Sequence, residues 1–266
     1  KMSNHNISQK RKSQKIVWIT GASSGIGRET AKRLARDGWT VCASARSEDM
    51  LKSLSEECTK MPGVIMPFPC DVTDEDKVSK VIKTIEESVG QIDMVLLNAG
   101  TYISNSVEDF TVESFKKHVK VNLEGTVNCV AAILPYLLKR NEGHIAIVAS
   151  VAGYRGLPRS ISYGATKAAL QNMAEALAIE TLDKNIKIQI INPGFVKTPL
   201  TDKNDFYMPM LMEVEKAADK LVKGLYSGKF EITFPVAFAE ILKFIGLLPH
   251  KLYIRLIYKI TKGKLN

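Results

Sequence analysis

Cysteine is scarce in this chain and never paired by spacing. Cys42, Cys58, Cys70 and Cys129 are the only four in 266 residues, and no CxxC occurs. This speaks against a disulfide scaffold and a cysteine zinc site, and fits buried free thiols in a reducing compartment. Histidine is equally sparse: His5, His118, His144 and His250 are dispersed without ligand spacing, so no metal site is expected. The N-terminus has no apolar signal-peptide core, and no run of 18 uncharged apolar residues is present to cross a bilayer. A cytoplasmic protein is the resulting expectation. Acids are missing from both ends. Residues 1–15 carry five cations and residues 251–266 carry five more, which together account for the net charge of +9 and leave the body close to neutral. A nucleic-acid binder would carry its basic patch on the folded body among stacking aromatics, so that class is set aside. No internal repeat or Pro/Gly/Ser-rich linker divides the chain. One domain is therefore expected over 15–235, preceded by a flexible basic arm at 1–14 and followed by a basic amphipathic extension at 236–266.

The body is an alternation of strands and helices. Strands are predicted at 15–20, 40–45, 64–70, 92–100, 144–150, 187–194 and 230–235, several as continuous apolar runs of the kind that suit parallel strands covered on both faces. Helices are predicted at 26–37, 49–58, 75–89, 112–139, 162–182 and 214–225. The pattern implies a doubly wound, seven-stranded, mostly parallel α/β sheet of the Rossmann type, with helices on both faces and a helical tail. Pro67 and Pro69 each remove a ladder donor from the third strand. Residues two apart point their amides the same way, so both gaps face outward if that strand is an edge, as the order 3-2-1-4-5-6 makes it.

Two motifs carry chemistry. "TGASSGIG" (20–27) follows a strand and opens a helix, where glycines permit close backbone approach and the helix N-terminus offers free amides to phosphate. Its spacing is G-x-x-x-G-x-G rather than G-x-G-x-x-G. In "SISYGATKAAL" (160–170), Tyr163 and Lys167 stand four apart on one helical face, so hydroxyl and ammonium approach a common point.

Together with "NAG" (98–100), Asn122, Ser150 in "IVASVAG" and "NPGFVKT" (192–198), these motifs occur in the order and spacing of the compact short-chain dehydrogenase/reductases, which the chain resembles over roughly residues 15–235. The resemblance implies NAD(P)-dependent alcohol oxidation or carbonyl reduction. It implies Tyr163 as general acid/base, Lys167 as the cation that lowers its pKa, Ser150 as the donor to the substrate oxygen, and Asn122 as holder of a water in a proton relay. The alternative for Asn122 is an asparagine satisfying buried backbone groups. Cofactor contacts are implied for Gly21, Ser23, Ser24, Gly25, Ile26, Gly27, Asp71, Val72, Asn98, Ala99, Gly100, Pro193, Gly194, Val196 and Thr198, besides Tyr163 and Lys167. At the end of the second strand, Ser44 and Ala45 supply no acid to bind a ribose 2′-hydroxyl, and Arg46 supplies a cation, which favours NADP(H) over NAD(H). A dimer or tetramer packed through 112–139 and 162–182 is also implied.

Substrate is less legible. Phe206, Tyr207, Met208, Met210, Leu211 and Met212 fall where the family places a lid, which suggests a lipophilic carbonyl or alcohol, although core packing explains methionines equally. Arg155 and Arg159 fit solvated loop cations or partners of an acidic substrate group. In the tail, Leu252, Tyr253, Leu256, Ile257 and Ile260 share a helical stripe beside Lys251, Arg255 and Lys259. Such a helix suits an anionic membrane surface, the substrate pocket or another subunit. A 3-oxoacyl reductase acting on a carrier protein is the strongest specific rival, and a non-catalytic NADP-binding sensor or scaffold the rival of another class.

Overall fold

Seven short apolar strands line up side by side in the computed structural model, which describes residues 14–202, 204 and 206–262. They are β1 (Ile16–Thr20), β2 (Thr40–Ser44), β3 (Val64–Pro67), β4 (Met94–Leu97), β5 (Gly143–Val148), β6 (Ile186–Pro193) and β7 (Glu231–Phe234). All pairings are parallel, in the order β3-β2-β1-β4-β5-β6-β7. The basic arm expected over 1–14 lies, apart from Gln14, outside the described residues.

Strand periodicity divides the core into two layers. Val17, Ile19, Val41 and Ala43 face one side and meet Leu34, Leu51, Leu54 and Leu221. Trp18, Cys42, Val95 and Leu97 face the other and meet Ile82, Ile133 and Leu170. The first layer is closed by α1 (Gly25–Arg36), α2 (Glu48–Glu57) and α7 (Val214–Leu225), the second by α3 (Glu75–Ser88), α5 (Gly125–Arg140) and α6 (Ile161–Glu180). A sheet covered on both sides needs no polar face, which is why its strands read as continuous apolar runs.

The proline argument holds at the β3 edge. The amides of Phe68 and Cys70 donate inward to the carbonyls of Ala43 and Ala45, at 2.8 and 3.0 Å. Pro67 and Pro69, of opposite parity, turn their missing donors away from the sheet.

The helix expected over 112–139 is interrupted. It consists of α4 (Val112–His118), a π-helical segment at Val119–Glu124, and α5. By length and composition Val112–Arg140 could cross a membrane, yet Cys129, Val130, Ile133 and Leu137 are buried against the sheet. All four cysteines are free and buried.

The tail is two helices, α8 (Val236–Gly246) and α9 (His250–Thr261). The first was not expected. Arg155 clamps the turn between them: its Nη1 donates to the Gly246 and Leu248 carbonyls at 2.7 Å each, and its guanidinium lies 4.0 Å from the centroid of the Tyr253 ring. The Tyr253 hydroxyl donates to the Gly156 carbonyl at 2.9 Å. Of the expected apolar stripe, Tyr253 and Ile257 are buried, whereas Leu252 and Ile260 remain largely exposed. Arg155→Ala removes two charged hydrogen bonds and a cation–π contact. It should loosen the tail by about 1 to 3 kcal/mol, read as faster proteolysis within 247–262 with little change in cleavage of the sheet.

Candidate active site

At the carboxyl edge of the sheet, the order in which the chain adds strands reverses between β1 and β4, since β1 leads one way to β2 and β4 the other way to β5. A crevice opens at such a switch point. Gly21 leaves β1 with φ +65°, and a Cβ there would lie 2.8 Å from Ala99 Cα. A side chain on Gly27 would collide with the Gly21 carbonyl and with Asn98, so the first turn of α1 and the 98–100 turn pack backbone to backbone. Thr20 fastens them: its hydroxyl accepts the Asn98 and Ala99 amides at 3.0 and 3.1 Å, and Asn98 Nδ2 donates to the Thr20 and Gly21 carbonyls.

The N-terminus of α1 is kept open. Its N-cap, Ser24, makes no side-chain cap and its first turn holds no acid. The starts of α2 and α3 are instead capped by Ser47 and Asp74, each followed by two acids. Free amides and the positive end of the helix dipole therefore meet at Ser23, Ser24, Gly25 and Ile26, an arrangement that suits phosphate. Gly25 (φ +56°) faces Thr198, whose Cγ2 would lie 3.2 Å from a Cβ. Thr198 is anchored by Thr201, whose hydroxyl accepts the Thr198 amide and also donates to the Val196 carbonyl at 2.6 Å.

At the end of β2 the Ser44 hydroxyl is consumed internally, accepting from the Trp18 indole and donating to the Phe68 carbonyl. Arg46 beyond it is exposed. Asp71 lies within its electrostatic reach. Burial works against the Asp71 charge, but the Thr73 amide and hydroxyl and the nearby Arg46 hold this carboxyl below its ordinary range. Val72 is buried against Gly125, where a Cβ would lie 2.6 Å from its Cγ2.

Across the crevice the other four candidates converge. Lys167 is only 3% exposed. Its Nζ donates to the Val148 carbonyl at 2.8 Å and lies 5.5 Å from the centroid of the Tyr163 ring. No carboxylate pairs with it among the described residues, and burial pulls its pKa down to about 8. Burial pushes the Tyr163 phenol up to about 12, against the pull of its hydrogen bond with Ser150. Ser150 follows β5 and caps the short 3-10 turn Val151–Gly153 by accepting the Ala152 amide. Its hydroxyl also lies 3.4 Å from the Pro193 carbonyl. Asn122 sits fully buried in the π-helical segment. Its Oδ1 accepts the Thr101 amide at 2.7 Å, while its Nδ2 donates to the Thr101 carbonyl and the Thr166 hydroxyl. These bonds tie the Asn122 side chain to the Thr101 backbone and to Thr166. Gly100 leaves the room between them, since a Cβ there would stand 3.4 Å from Asn122 Oδ1 and 3.7 Å from Lys167 Nζ.

Several neighbours escaped the sequence reading. Tyr102 packs edge-on to Tyr163, with centroids 5.1 Å apart, and donates its hydroxyl to the Arg159 carbonyl. His118 lies behind Tyr163. Its Nε2 accepts the Ile103 amide, so its proton is on Nδ1, donated to the Ser114 carbonyl. Gln171 donates to the Ser150 carbonyl and to Asn192 Oδ1; Asn192 in turn donates to Glu231, which also receives the Tyr154 hydroxyl and Lys243. Gln171 carried a legible signal: Tyr163, Lys167 and Gln171 recur every four residues on one face.

Above Ser150 and Tyr163 lies a cavity of about 230 Å³ with mostly apolar walls. Of the expected lid residues, Phe206 and Tyr207 line it, joined by Leu200 and Pro209. Met208, Met210, Leu211 and Met212 do not. Met210 adopts φ +54°, and Met212 bridges back to Val196 and packs on the core. Part of the wall comes from Phe238 and Leu242 of α8 and from Ile257, Ile260 and Thr261 of α9. Among the described residues no group of three or more His, Cys, Asp or Glu side chains converges in a way that could hold a metal.

Residues 15–206 match the short chain dehydrogenase family. The chain is a short-chain dehydrogenase. An uncharacterized oxidoreductase of Myxococcus xanthus is 34% identical to this dehydrogenase over 241 residues, covering 91% of this chain and 95% of the relative. The 3-oxoacyl-(acyl-carrier-protein) reductase FabG of Thermotoga maritima is 34% identical over 216 residues, covering 81% and 84%. A short-chain dehydrogenase from Sphingobium yanoikuyae solved in complex with NADPH superimposes with a TM-score of 0.77 at 26% identity, over 86% of this chain and 92% of that one.

The lowered Lys167 pKa has a stability consequence. A lysine whose folded pKa is depressed binds its proton less well in the native state, so it opposes folding fully below pH 8 and ceases to do so as pH rises towards its unfolded value of 10.5. In the ligand-free dehydrogenase, Lys167→Met should therefore raise stability near neutral pH by about 1 to 3 kcal/mol. That gain should shrink above pH 8, and turnover should be lost. Denaturant melts at a series of pH values, together with a rate assay, check both.

Proposed function

We propose that this dehydrogenase interconverts a lipophilic carbonyl and a secondary alcohol with NADP(H) in preference to NAD(H), using Tyr163 as acid/base. The observation that carries the reading is a half-buried phenol, hydrogen-bonded to Ser150 and near a lysine ammonium that no carboxylate pairs, at the floor of an apolar cavity. The glycine cradle at 21–27 and the open helix start fit a dinucleotide phosphate, and the NADPH complex of the Sphingobium relative supports that choice. When bound, the cofactor supplies or accepts hydride.

Each residue then has a distinct task. The raised pKa keeps Tyr163 protonated at neutral pH in the ligand-free site, ready to donate to a carbonyl oxygen during reduction. Ser150 donates to the same oxygen and stabilises its developing charge. Lys167 spends one N–H on Val148 and keeps two for the crevice. Its ammonium favours the phenolate, and so release of the Tyr163 proton to the substrate oxygen. Asn122, fixed to the Thr101 backbone within the π-helical segment, holds a water that links Lys167 to solvent as a proton relay. Asp71, Val72, Asn98, Ala99 and Gly100 border the adenine and ribose side of the crevice, and Pro193, Gly194, Val196 and Thr198 the nicotinamide side. Arg46 meets a 2′-phosphate. Exposed Val127, Ile179 and Leu182 on α5, α6 and the turn after α6 support oligomer packing through these helices.

A second reading, reduction of 3-oxoacyl groups on a carrier protein, draws support from the Thermotoga relative. An NADPH turnover panel of ketones, aldehydes and 3-oxoacyl thioesters separates the two. Tyr163→Phe should lower kcat by about a hundredfold to ten-thousandfold with cofactor binding retained, and near-normal turnover would remove Tyr163 from its role. Arg46→Ala should weaken NADPH binding by about tenfold, a loss of roughly 1.4 kcal/mol, and leave NADH binding unchanged. Titration calorimetry with both cofactors reads this directly.

A further inference from the structure

The tail helices face two ways. Inward, Phe238 and Leu242 of α8 and Ile257 and Ile260 of α9 line the cavity, and Ala239, Tyr253 and Ile257 are buried. Outward, α8 presents Ala237, Ile241 and Phe244 at helical spacing, with Leu247 just beyond its end; Phe244 is 75% and Leu247 82% exposed. The outer crest of α9 is different, for Lys251, Arg255, Lys259 and Lys262 stand exposed around Tyr258, flanked by exposed Leu252 and Ile254. Large apolar side chains of α8 and cations of α9 therefore stand exposed side by side in the sequence of the tail, which is held to the body by Arg155 and the Tyr253 hydroxyl. From residue 241 to the C-terminus the sequence contains no acid. Lys243 alone among the described cations of that stretch is neutralised, by Glu231 and Glu240.

We propose that this outer face of α8 and α9 docks on an anionic lipid surface, with Phe244 and Leu247 entering the interface and the α9 cations meeting the headgroups. The charge pattern selects this occupant. A two-fold contact with a second copy would set the same cations against themselves, and an anionic polymer would leave Ile241, Phe244 and Leu247 without a partner. A bilayer of acidic lipids satisfies both halves of the face. The stripe singled out in the sequence, centred on Tyr253 and Ile257, faces the protein. The docking face instead lies on α8 and on the opposite side of α9.

The test is co-sedimentation of the full chain with vesicles of phosphatidylglycerol mixed into phosphatidylcholine, and with phosphatidylcholine alone, at low and high salt. The parent protein should bind the acidic vesicles, bind less as salt rises, and ignore the neutral ones. Both Phe244→Glu with Leu247→Glu and Lys251→Glu with Arg255→Glu should weaken partitioning by about tenfold or more, with melting temperature unchanged. Parent protein left in the supernatant with acidic vesicles at low salt overturns the proposal. So does either variant binding as the parent does. A change of oligomeric state in the Phe244/Leu247 variant, read by sedimentation velocity without loss of vesicle binding, assigns the face to a second copy and likewise overturns it.

Discussion

The Lys167 ammonium is buried at the carboxyl end of β5 with one backbone carbonyl as its partner. Removing a charge from water is costly unless it is paired, and the usual remedy, a carboxylate, is missing from its surroundings among the described residues. In the role proposed for Lys167 that remedy would defeat the arrangement, because a paired acid would cancel the field the ammonium offers the Tyr163 phenol. The surrounding structure serves this constraint. Helix α6 places Tyr163 one turn before the lysine, β5 delivers the Val148 carbonyl and then Ser150, and the absence of a side chain at Gly100 keeps space between Asn122 and the ammonium. The opposing shifts of the pair, Tyr163 upward and Lys167 downward, both arise from burial. Positive charge brought to this point by a bound ligand acts against the Tyr163 shift and deepens that of Lys167.

Burial of this pair depends in turn on structure far along the chain. Ser150 is braced through Gln171, Asn192 and Glu231 to Lys243 of α8. Helix α9 closes the same cavity and is pinned by Arg155 to the loop between Ser150 and Tyr163. The tail is therefore a wall of the site rather than an appendage. Its inner face shapes an apolar cavity, and its outer face is free to serve another purpose.

Most of the sheet was legible because burial on both faces writes parallel strands as apolar runs, and because the parity of Pro67 and Pro69 identifies an edge. The site motifs were legible for a related reason: backbone crowding at Gly21 and Gly27 admits no side chain, so the chemistry leaves a pattern in glycine as well as in Tyr163 and Lys167. Other features left weak traces. The π-helical segment at Val119–Glu124 leaves the hydrophobic pattern of a long helix almost intact. Helix α8 is apolar on its cavity face and at Ala237, Ile241 and Phe244 outside, so Glu240 and Lys243 leave only a narrow polar stripe. Met210 turns the presumed lid by adopting a left-handed backbone, and sends Met212 to the core instead of the cavity. Arg155 looked like an ordinary loop cation because its partners, the Gly246 and Leu248 carbonyls, are some ninety residues away.

The central claim is that an unpaired, buried ammonium governs the site, and it can be tested by following each lysine of the ligand-free enzyme through a pH titration. With lysine labelled at Cε and observed by NMR, one resonance should titrate near pH 8, well below the ordinary lysine value of 10.5, and be missing from the Lys167→Met spectrum. If every lysine titrates at its ordinary value, Lys167 is either solvated or paired, and the account of the site built on its burial is wrong.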